Sequence, residues 1–290
     1  MGKILVTGAT GNVGAEVVNA LKLANQKTIS AVVMHEDLKK FPTNKAVVFD
    51  FANSNTWEPA LKDVDRVFLM RPPAIGDVKT YLFPFIDLAL KKGIKHIVFL
   101  SLQGVSFNPL TPHFKVEKYL MRKKAPYTFL RPNFFMQNLS TFYKDDIAKN
   151  DEIFLPAGKG RTAFVDVRDI GAVAADVFTE SDHIGMAYTL SGSRSLDYYE
   201  VAEILSSELG RTITYQNPSV EEYVERLRVN GSPEEFIKVQ KMLYFVVRHN
   251  FSSGTKSDIT KLLGREPITF KQFVHDYAHV WRKATIFGNN

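Results

Sequence analysis

The sequence predicts an α/β protein built on a doubly wound parallel sheet, with a smaller, mainly helical C-terminal domain. Three observations carry this expectation. Short continuous apolar runs, rich in β-branched and aromatic residues, recur from Lys3 to about Arg131, as in strands buried on both faces. Amphipathic stretches separate these runs, as crossover helices do between parallel strands. A glycine-rich turn, Gly8-Ala9-Thr10-Gly11-Asn12-Val13-Gly14, stands directly between the first run and the first helical pattern.

Taken in order, ILVTG is the first strand, and Val13, Val17 and Leu21 fall at helical spacing behind it. TISAVVM, AVVFDF and RVFLM are the next three strands. A helical segment ending near Gly93 follows, with Pro84 inside it marking a kink or a late helix start. HIVFLS, a helix through Tyr119 and Leu120, and YTFLRP complete the series. Beyond about Asn150 the rhythm changes to short strands and longer helices. Ser219 with Glu222, Ser232 with Pro233 and Glu235, and Thr269 with Gln272 have the form of capping boxes. Gly210 ends the helix YYEVAEILSSEL, and Phe273, Tyr277 and Trp281 form an apolar stripe suited to core packing. The expected domains are 1–150 and 151–290, with part of 162–192 packing back on the first sheet.

The 290-residue chain is 45% hydrophobic and 23% charged, the composition of an ordinary globular protein. It contains no cysteine, which excludes disulfides, thiolate nucleophiles and iron–sulfur chemistry. The net charge of +6 comes from 37 basic residues scattered among 31 acids, without the clustered footprint of a nucleic-acid binder. Apolar runs fall short of the ~20 residues that span a bilayer. The N-terminus runs straight into a strand, and Val6 stands where myristoylation wants Ser or Thr. The expectation is a cytoplasmic protein, monomer or homodimer, with neither nucleic acid nor membrane as partner. No metal site is expected, because His275 and His279 lack both a zincin glutamate and a third ligand. Gly158-Lys159-Gly160-Arg161 reads as a hairpin turn between two strand-like runs.

The glycine turn carries the clearest chemistry. Gly8 permits the tight turn, Gly11 lets the backbone approach a pyrophosphate, and Gly14 allows close helix-to-strand packing. Phosphates would sit against free backbone N–H groups, Thr10, Asn12 and Val13 included, and the positive end of the helix dipole.

GxxGxxG at this place, with FDF, FLMRPP, IVFLSLQGV, HFKVEKYL, TFLRPNFFMQN, AFVDVRDIGAV and GREPITF in this order, resembles the NmrA-like branch of atypical short-chain dehydrogenases/reductases. The resemblance implies a Rossmann-like domain binding NAD(P)H, in a family of quinone and triphenylmethane-dye reductases and redox-sensing regulators. It also implies roles for particular residues. Met34 and His35 end the second strand beside the adenosine ribose, and the Arg that NADP-using relatives place at Met34 is missing, leaving NAD against NADP open. Asp50 would approach the adenine edge with Phe51 beside its ring, or else Asp50 caps the next turn. Met70 and Arg71 lie over the ligand crevice, Arg71 as a phosphate or substrate contact or as a solvated loop cation.

Lys115 aligns with the catalytic lysine of the wider superfamily and would hold the nicotinamide ribose, unless it is a surface helix lysine. Thr111 takes the place of the tyrosine acid; its hydroxyl pKa is far too high for that work, and with Pro112 following it reads as a helix N-cap. Ser101 would face the nicotinamide, and His113 is a substitute acid. Pro132 and Phe134 would meet the nicotinamide end of the cofactor. Phe134, Phe135 and Met136 would form an adaptable wall for flat aromatic acceptors, or else interdomain core.

Without the tyrosine, an isolated ketone is a poor substrate, whereas hydride delivery to a quinone or a cationic dye gives a stabilised product that solvent protonates afterwards. The leading expectation is therefore an NAD(P)H-dependent reductase of quinone-like or other conjugated aromatic acceptors. The alternative is a non-catalytic NAD(P)-sensing regulator.

Overall fold

The computed structural model describes residues 2–42 and 45–282. The chain divides into two compact units: the first comprises the residues up to Pro132, Val167–Leu190 and Ser257–Glu266, and the second comprises Asn133–Asp166, Ser191–Lys256 and the residues from Pro267 onward.

The first unit runs β1 (Lys3–Val6), α1 (Asn12–Leu23), β2 (Thr28–Val32), β3 (Ala46–Val48), α2 (Trp57–Ala60), β4 (Val64–Met70), α3 (Val78–Tyr81), α4 (Phe83–Lys91), β5 (His96–Leu100), α5 (Pro112–Arg122) and β6 (Tyr127–Pro132). In the second unit follow α6 (Asn138–Thr141), α7 (Lys144–Asn150) and β7 (Glu152–Ile153). The chain returns to the first unit for α8 (Val167–Thr179) and β8 (Ala187–Leu190), then builds α9 (Tyr198–Leu209), β9 (Thr214–Tyr215), α10 (Val220–Val229) and α11 (Glu234–Arg248) in the second. A last return places α12 (Ile259–Leu263) in the first unit, and α13 (Phe270–Trp281) closes the second.

All pairs in the seven-stranded sheet are parallel, in the order β3-β2-β1-β4-β5-β6-β8. The order reverses direction between β1 and β4, which sets the topological switch point at the carboxyl end of β1. Strands buried on both faces account for the unbroken apolar runs: Ile4, Leu5 and Val6 are fully buried. Pro84 sits in the first turn of α4, so the helical stretch is two helices rather than one kinked helix. Beneath β3, Phe49, Phe51, Trp57 and Phe85 pack edge to face, with Phe49 and Phe51 centroids 4.8 Å apart. The return of α8 is made possible by Gly171, where a Cβ would lie 2.6 Å from the Glu16 carbonyl oxygen on α1. Asp169, fully buried in α8, pairs with Arg265 at 2.7 Å.

The second unit holds a two-stranded parallel sheet, β7 with β9, and a core that includes Leu139, Tyr143, Ile147, Leu205, Phe273 and Trp281. The Trp281 Nε1–H donates to the Leu139 carbonyl at 3.1 Å, fixing α13 to α6.

Four details differ from the sequence expectation. The unit boundary falls at Pro132 rather than at 150, because Leu139, Tyr143 and Ile147 pack into the second core. Besides Val167–Leu190, Ser257–Glu266 also returns to the first unit, tied by Asp258 and Thr189 through reciprocal 2.8 Å bonds. Residues 158–161 do not join a hairpin; Gly160 lies against the end of α11, where its Cβ would meet the Val247 carbonyl oxygen at 2.1 Å. Ser232 does not cap α11. Its N–H closes α10 by donating to the Leu227 carbonyl, with Gly231 left-handed before it.

Candidate functional site

The glycine turn begins one residue past β1. The Thr7 hydroxyl donates to the Phe68 carbonyl at 3.0 Å and accepts from the Met70 N–H at 2.8 Å, locking the ends of β1 and β4 together. Sequence reasoning missed this residue, although a buried threonine directly before the turn is its signal. Gly8 has φ +67°, and a Cβ there would lie 2.0 Å from the Met70 Cε, so Met70 lies across the turn. Gly14 approaches the Gly8 carbonyl so closely that a Cβ would stand 2.1 Å from its oxygen.

Gly11 is different. Its Cβ would meet only the Gly8 oxygen at 3.5 Å, an ordinary contact, so the protein's own packing does not require glycine there. It is the N-cap of α1, with no side-chain cap and no acid in the first turn. The N–H groups of Asn12 and Val13 have no hydrogen-bond partner among the described residues. This is an uncapped helix N-terminus behind a residue with room for a ligand to approach, and Thr10, Gly11 and Asn12 are exposed beside it.

The neighbouring strand ends place the other expected residues. Met34, 57% exposed, and His35 lie on the surface just past β2. Asp50 folds back as a turn former, its Oδ1 accepting from the Ala52 N–H at 2.9 Å, while Phe51 belongs to the aromatic core. Past β4, Arg71 is neither a free loop cation nor open to full use by a ligand. Its Nη1 donates to the carbonyls of Pro72, Pro73 and Ile75 at 2.7–3.1 Å, whereas its buried Nε has no partner.

Past β5, Ser101 is buried and its Oγ has no partner. Thr111 caps α5, its hydroxyl accepting from the Phe114 N–H at 3.3 Å and donating to the Asn108 carbonyl at 2.9 Å. Burial pushes His113 down to a pKa of about 3, with the Arg71 charge adding to the effect, so its ring is neutral at physiological pH. A neutral imidazole carries one N–H and is a weaker acid than the imidazolium. Lys115 is exposed and lines a surface pocket with Phe83, Lys118, Tyr119 and Arg122. Pro132 is buried at the end of β6, its carbonyl accepting from the Gln103 N–H at 2.9 Å.

In the second unit the expected acceptor wall divides. Met136 is 1% exposed and part of the core, while Phe134 and Phe135 line a cavity of about 70 Å³. The segment is held beside Val165, whose N–H donates to the Phe134 carbonyl at 2.9 Å and whose carbonyl accepts from the Met136 N–H at 3.0 Å. Phe142, Tyr143, Phe164, Tyr198, Gln240 and Tyr244 complete much of the wall. Burial raises Tyr143 and Tyr244 well above the usual tyrosine pKa, so these hydroxyls stay neutral. Sequence reasoning missed Gln240. Its signal is a polar residue on the buried stripe Ile237, Gln240, Tyr244, Val247 of α11.

Among the described residues, no cluster of three His, Asp or Glu is arranged to hold a metal ion, and no helix is long and apolar enough to cross a membrane.

Comparison with known proteins agrees with this architecture. The chain is 31% identical to Prestalk A differentiation protein A of Dictyostelium discoideum, over 94% of this chain and 91% of that protein. It is 30% identical to an NAD(P)H azoreductase of Xenophilus azovorans, over 95% and 98%. An Escherichia coli NADPH-dependent quinone oxidoreductase, solved with NADPH, superposes with a TM-score of 0.83 at 23% identity, covering 95% of this chain and 99% of that one, and so shares the fold. The model of the NmrA-like family matches residues 1–274; the chain belongs to the NmrA-like family.

Proposed function

We propose that the protein is an NAD(P)H-dependent reductase of quinone-like, azo or other conjugated aromatic acceptors. One observation carries the cofactor half of this reading: Gly11 is free of packing demands at an uncapped helix N-terminus, at the switch point of a parallel sheet. A pyrophosphate suits this place, since it needs backbone N–H donors and a close approach. Arg71 Nε and Ser101 Oγ, buried and without partners past the neighbouring strands β4 and β5, suit the same ligand edge. Unpartnered buried polar atoms are rare enough to require a reason, and a bound polar ligand is one.

In this assignment Asn12 and Val13 hold the pyrophosphate by their N–H groups, Met34 and His35 border the adenosine ribose, and Asp50 meets the adenine edge through its outer oxygen. Phe51 supports that edge from within the core. Ser101 orients the nicotinamide amide or ribose, and Lys115 binds the ribose by swinging from its exposed position. When bound, the cofactor supplies a hydride, which together with one proton from water converts a quinone to its hydroquinone and leaves NAD(P)+. No side-chain acid is needed at Thr111, because the product anion is stabilised by conjugation. The acceptor occupies the aromatic cavity bounded by Phe134 and Phe135. The 30% identity to an NAD(P)H azoreductase supports the acceptor class.

The test is a titration of the purified protein with NADH and NADPH, followed by loss of nicotinamide absorbance with a simple quinone and a neutral azo dye. Turnover with at least one acceptor is expected. Tight nucleotide binding without turnover of any acceptor would overturn the reductase assignment.

A further inference from the structure

In the second unit, four buried tyrosines and one buried glutamine gather around the cavity. Tyr143 and Tyr223 both donate to the Gln240 Oε1, at 3.4 and 3.3 Å, and the Tyr143 hydroxyl also meets those of Tyr223 and Tyr244. Each phenol carries a single proton, so the three hydroxyls share their donors between the Gln240 oxygen and one another. Gln240 is 7% exposed and lines the cavity together with Tyr143, Tyr198 and Tyr244.

With Tyr143 and Tyr223 at the oxygen, the other end of the carboxamide is its nitrogen. The Nε2 then carries two N–H donors that have no hydrogen-bond partner among the described residues. Phe134, Phe135, Leu139, Phe142, Phe164 and Leu243 make most of the remaining wall apolar, with Asn138 the other carboxamide on it. An amide donor without a protein partner on the wall of an aromatic pocket is suited to a ligand with an acceptor atom. We infer that the Gln240 carboxamide, oriented by Tyr143 and Tyr223, donates hydrogen bonds to the carbonyl oxygen or azo nitrogen of the acceptor, and so selects neutral acceptors of that kind.

This inference rests on the reductase reading and specifies its substrate class. The cavity, about 70 Å³, is roughly half the ~150 Å³ that holds benzene in an engineered protein core, so it takes the polar edge of a ring rather than a whole multi-ring molecule. Negative charge develops on the oxygen of a quinone, or on the nitrogen of an azo bond, as hydride arrives at the acceptor. Fixed N–H donors stabilise that charge most at the transition state. A cationic triphenylmethane dye gains no negative charge when its central carbon takes hydride, so the donors do nothing for it.

The experiment compares kcat/KM for a benzoquinone, a neutral azo dye and a cationic triphenylmethane dye in the wild type, Gln240→Leu and Tyr223→Phe, each checked for folding by thermal denaturation. Gln240→Leu should lower the quinone-to-dye and azo-to-dye ratios about ten- to a hundredfold, mostly through kcat. Tyr223→Phe, whose side chain is not on the cavity wall, should shift the same ratios in the same direction by a few-fold, because it loosens the clamp without removing the donor. If Gln240→Leu does not fold, Tyr223→Phe decides alone: an unshifted ratio overturns the inference. Equal losses for all three acceptors in a folded Gln240→Leu protein overturn it too, showing a merely structural glutamine. A wild-type protein that oxidises neither nucleotide with any acceptor overturns the reductase reading itself, an outcome distinct from both.

Discussion

Replacing Gly11 and Gly14 by alanine, one at a time, separates what a ligand demands of the turn from what the protein demands. At Gly14 the new methyl would stand 2.1 Å from the Gly8 carbonyl oxygen and 2.6 Å from its carbon, both backbone atoms with no easy route aside. Overpacking of this kind costs about 1–3 kcal/mol, and at this size each kcal/mol lowers Tm by about 2–4 °C. Gly14→Ala should therefore melt about 2–12 °C below wild type without nucleotide. At Gly11 the nearest atom is 3.5 Å away, and φ −89°, ψ 169° is open to any residue. Alanine is a poorer N-cap than glycine by somewhat under about 1 kcal/mol. It also restricts the unfolded chain, worth about 0.4–1 kcal/mol in the opposite direction. The two nearly cancel, so the Tm of Gly11→Ala without nucleotide should match wild type. Its methyl nevertheless stands where a pyrophosphate would meet the Asn12 and Val13 N–H groups, and affinity for NADH and NADPH alike should fall at least about tenfold, or ~1.4 kcal/mol. Thermal denaturation without nucleotide and a fluorescence titration with each nucleotide measure the two effects. Wild-type affinity in Gly11→Ala would refute the placement of phosphates here; wild-type stability in Gly14→Ala would refute the packing account.

Met34, exposed past β2, stands where a guanidinium could reach a ribose 2′-phosphate. Met34→Arg should raise the NADPH-to-NADH affinity ratio about tenfold, as one charge-assisted hydrogen bond allows; an unchanged ratio places the ribose elsewhere. His96 and His113 are held by burial at pKa values of about 4 and about 3, below the usual value of 6.5. The unfolded chain takes up these protons first, so each histidine supports stability above about pH 6.5 and loses it as pH falls, by at most about 1.4 kcal/mol per pH unit. Urea midpoints measured near pH 7 and near pH 5 should therefore lie closer together in His113→Gln than in wild type, and an equal separation counts against a buried neutral ring. Glu117, 4% exposed, is held by Arg131 through bonds of 3.0 and 2.7 Å. Arg131→Met should cost about 3–5 kcal/mol by stranding a buried carboxylate, and adding Glu117→Leu should recover most of it; urea unfolding of the single and double variants checks both.

Much of the first unit was legible because burial on both sheet faces leaves no polar alternation in its strands. ILVTG, RVFLM and HIVFLS each correspond to a strand within a residue or two of the expected place. The turn was legible because a left-handed φ at Gly8 and close backbone approach at Gly14 leave glycine no easy substitute. The unit boundary was not, since the apolar face formed by Leu139, Tyr143 and Ile147 says that a helix is buried without saying against which core. Phe51 and Met136 went to core for a related reason. A strand or loop residue of the right type points to either side, and only pairing, as with Val165 across from Phe135, decides which. Arg71 was ambiguous between ligand and solvent; three carbonyls of its own loop, at Pro72, Pro73 and Ile75, take its Nη1, a local fold that no spacing rule encodes.

Ser101 and Gln240 show where a sequence reading can reach further. Each is a polar residue at a position whose period assigns it to the interior: Ser101 directly follows a wholly buried strand, and Gln240 lies on the apolar stripe of α11. Such a residue either satisfies itself within the fold or waits for something outside it, and the pattern alone does not distinguish the two. His96, equally buried, is the first kind, bonded to Thr128 at 2.8 Å, and its role ends in the core. Ser101 Oγ is the second kind, and Gln240, bonded through its oxygen alone, leaves its Nε2 for the same use, each on the unit where the proposed ligand needs a polar contact. The separating quantity is the count of unpaired donors and acceptors at buried positions, which depends on neighbours distant in sequence. It therefore becomes available only once the chain is folded.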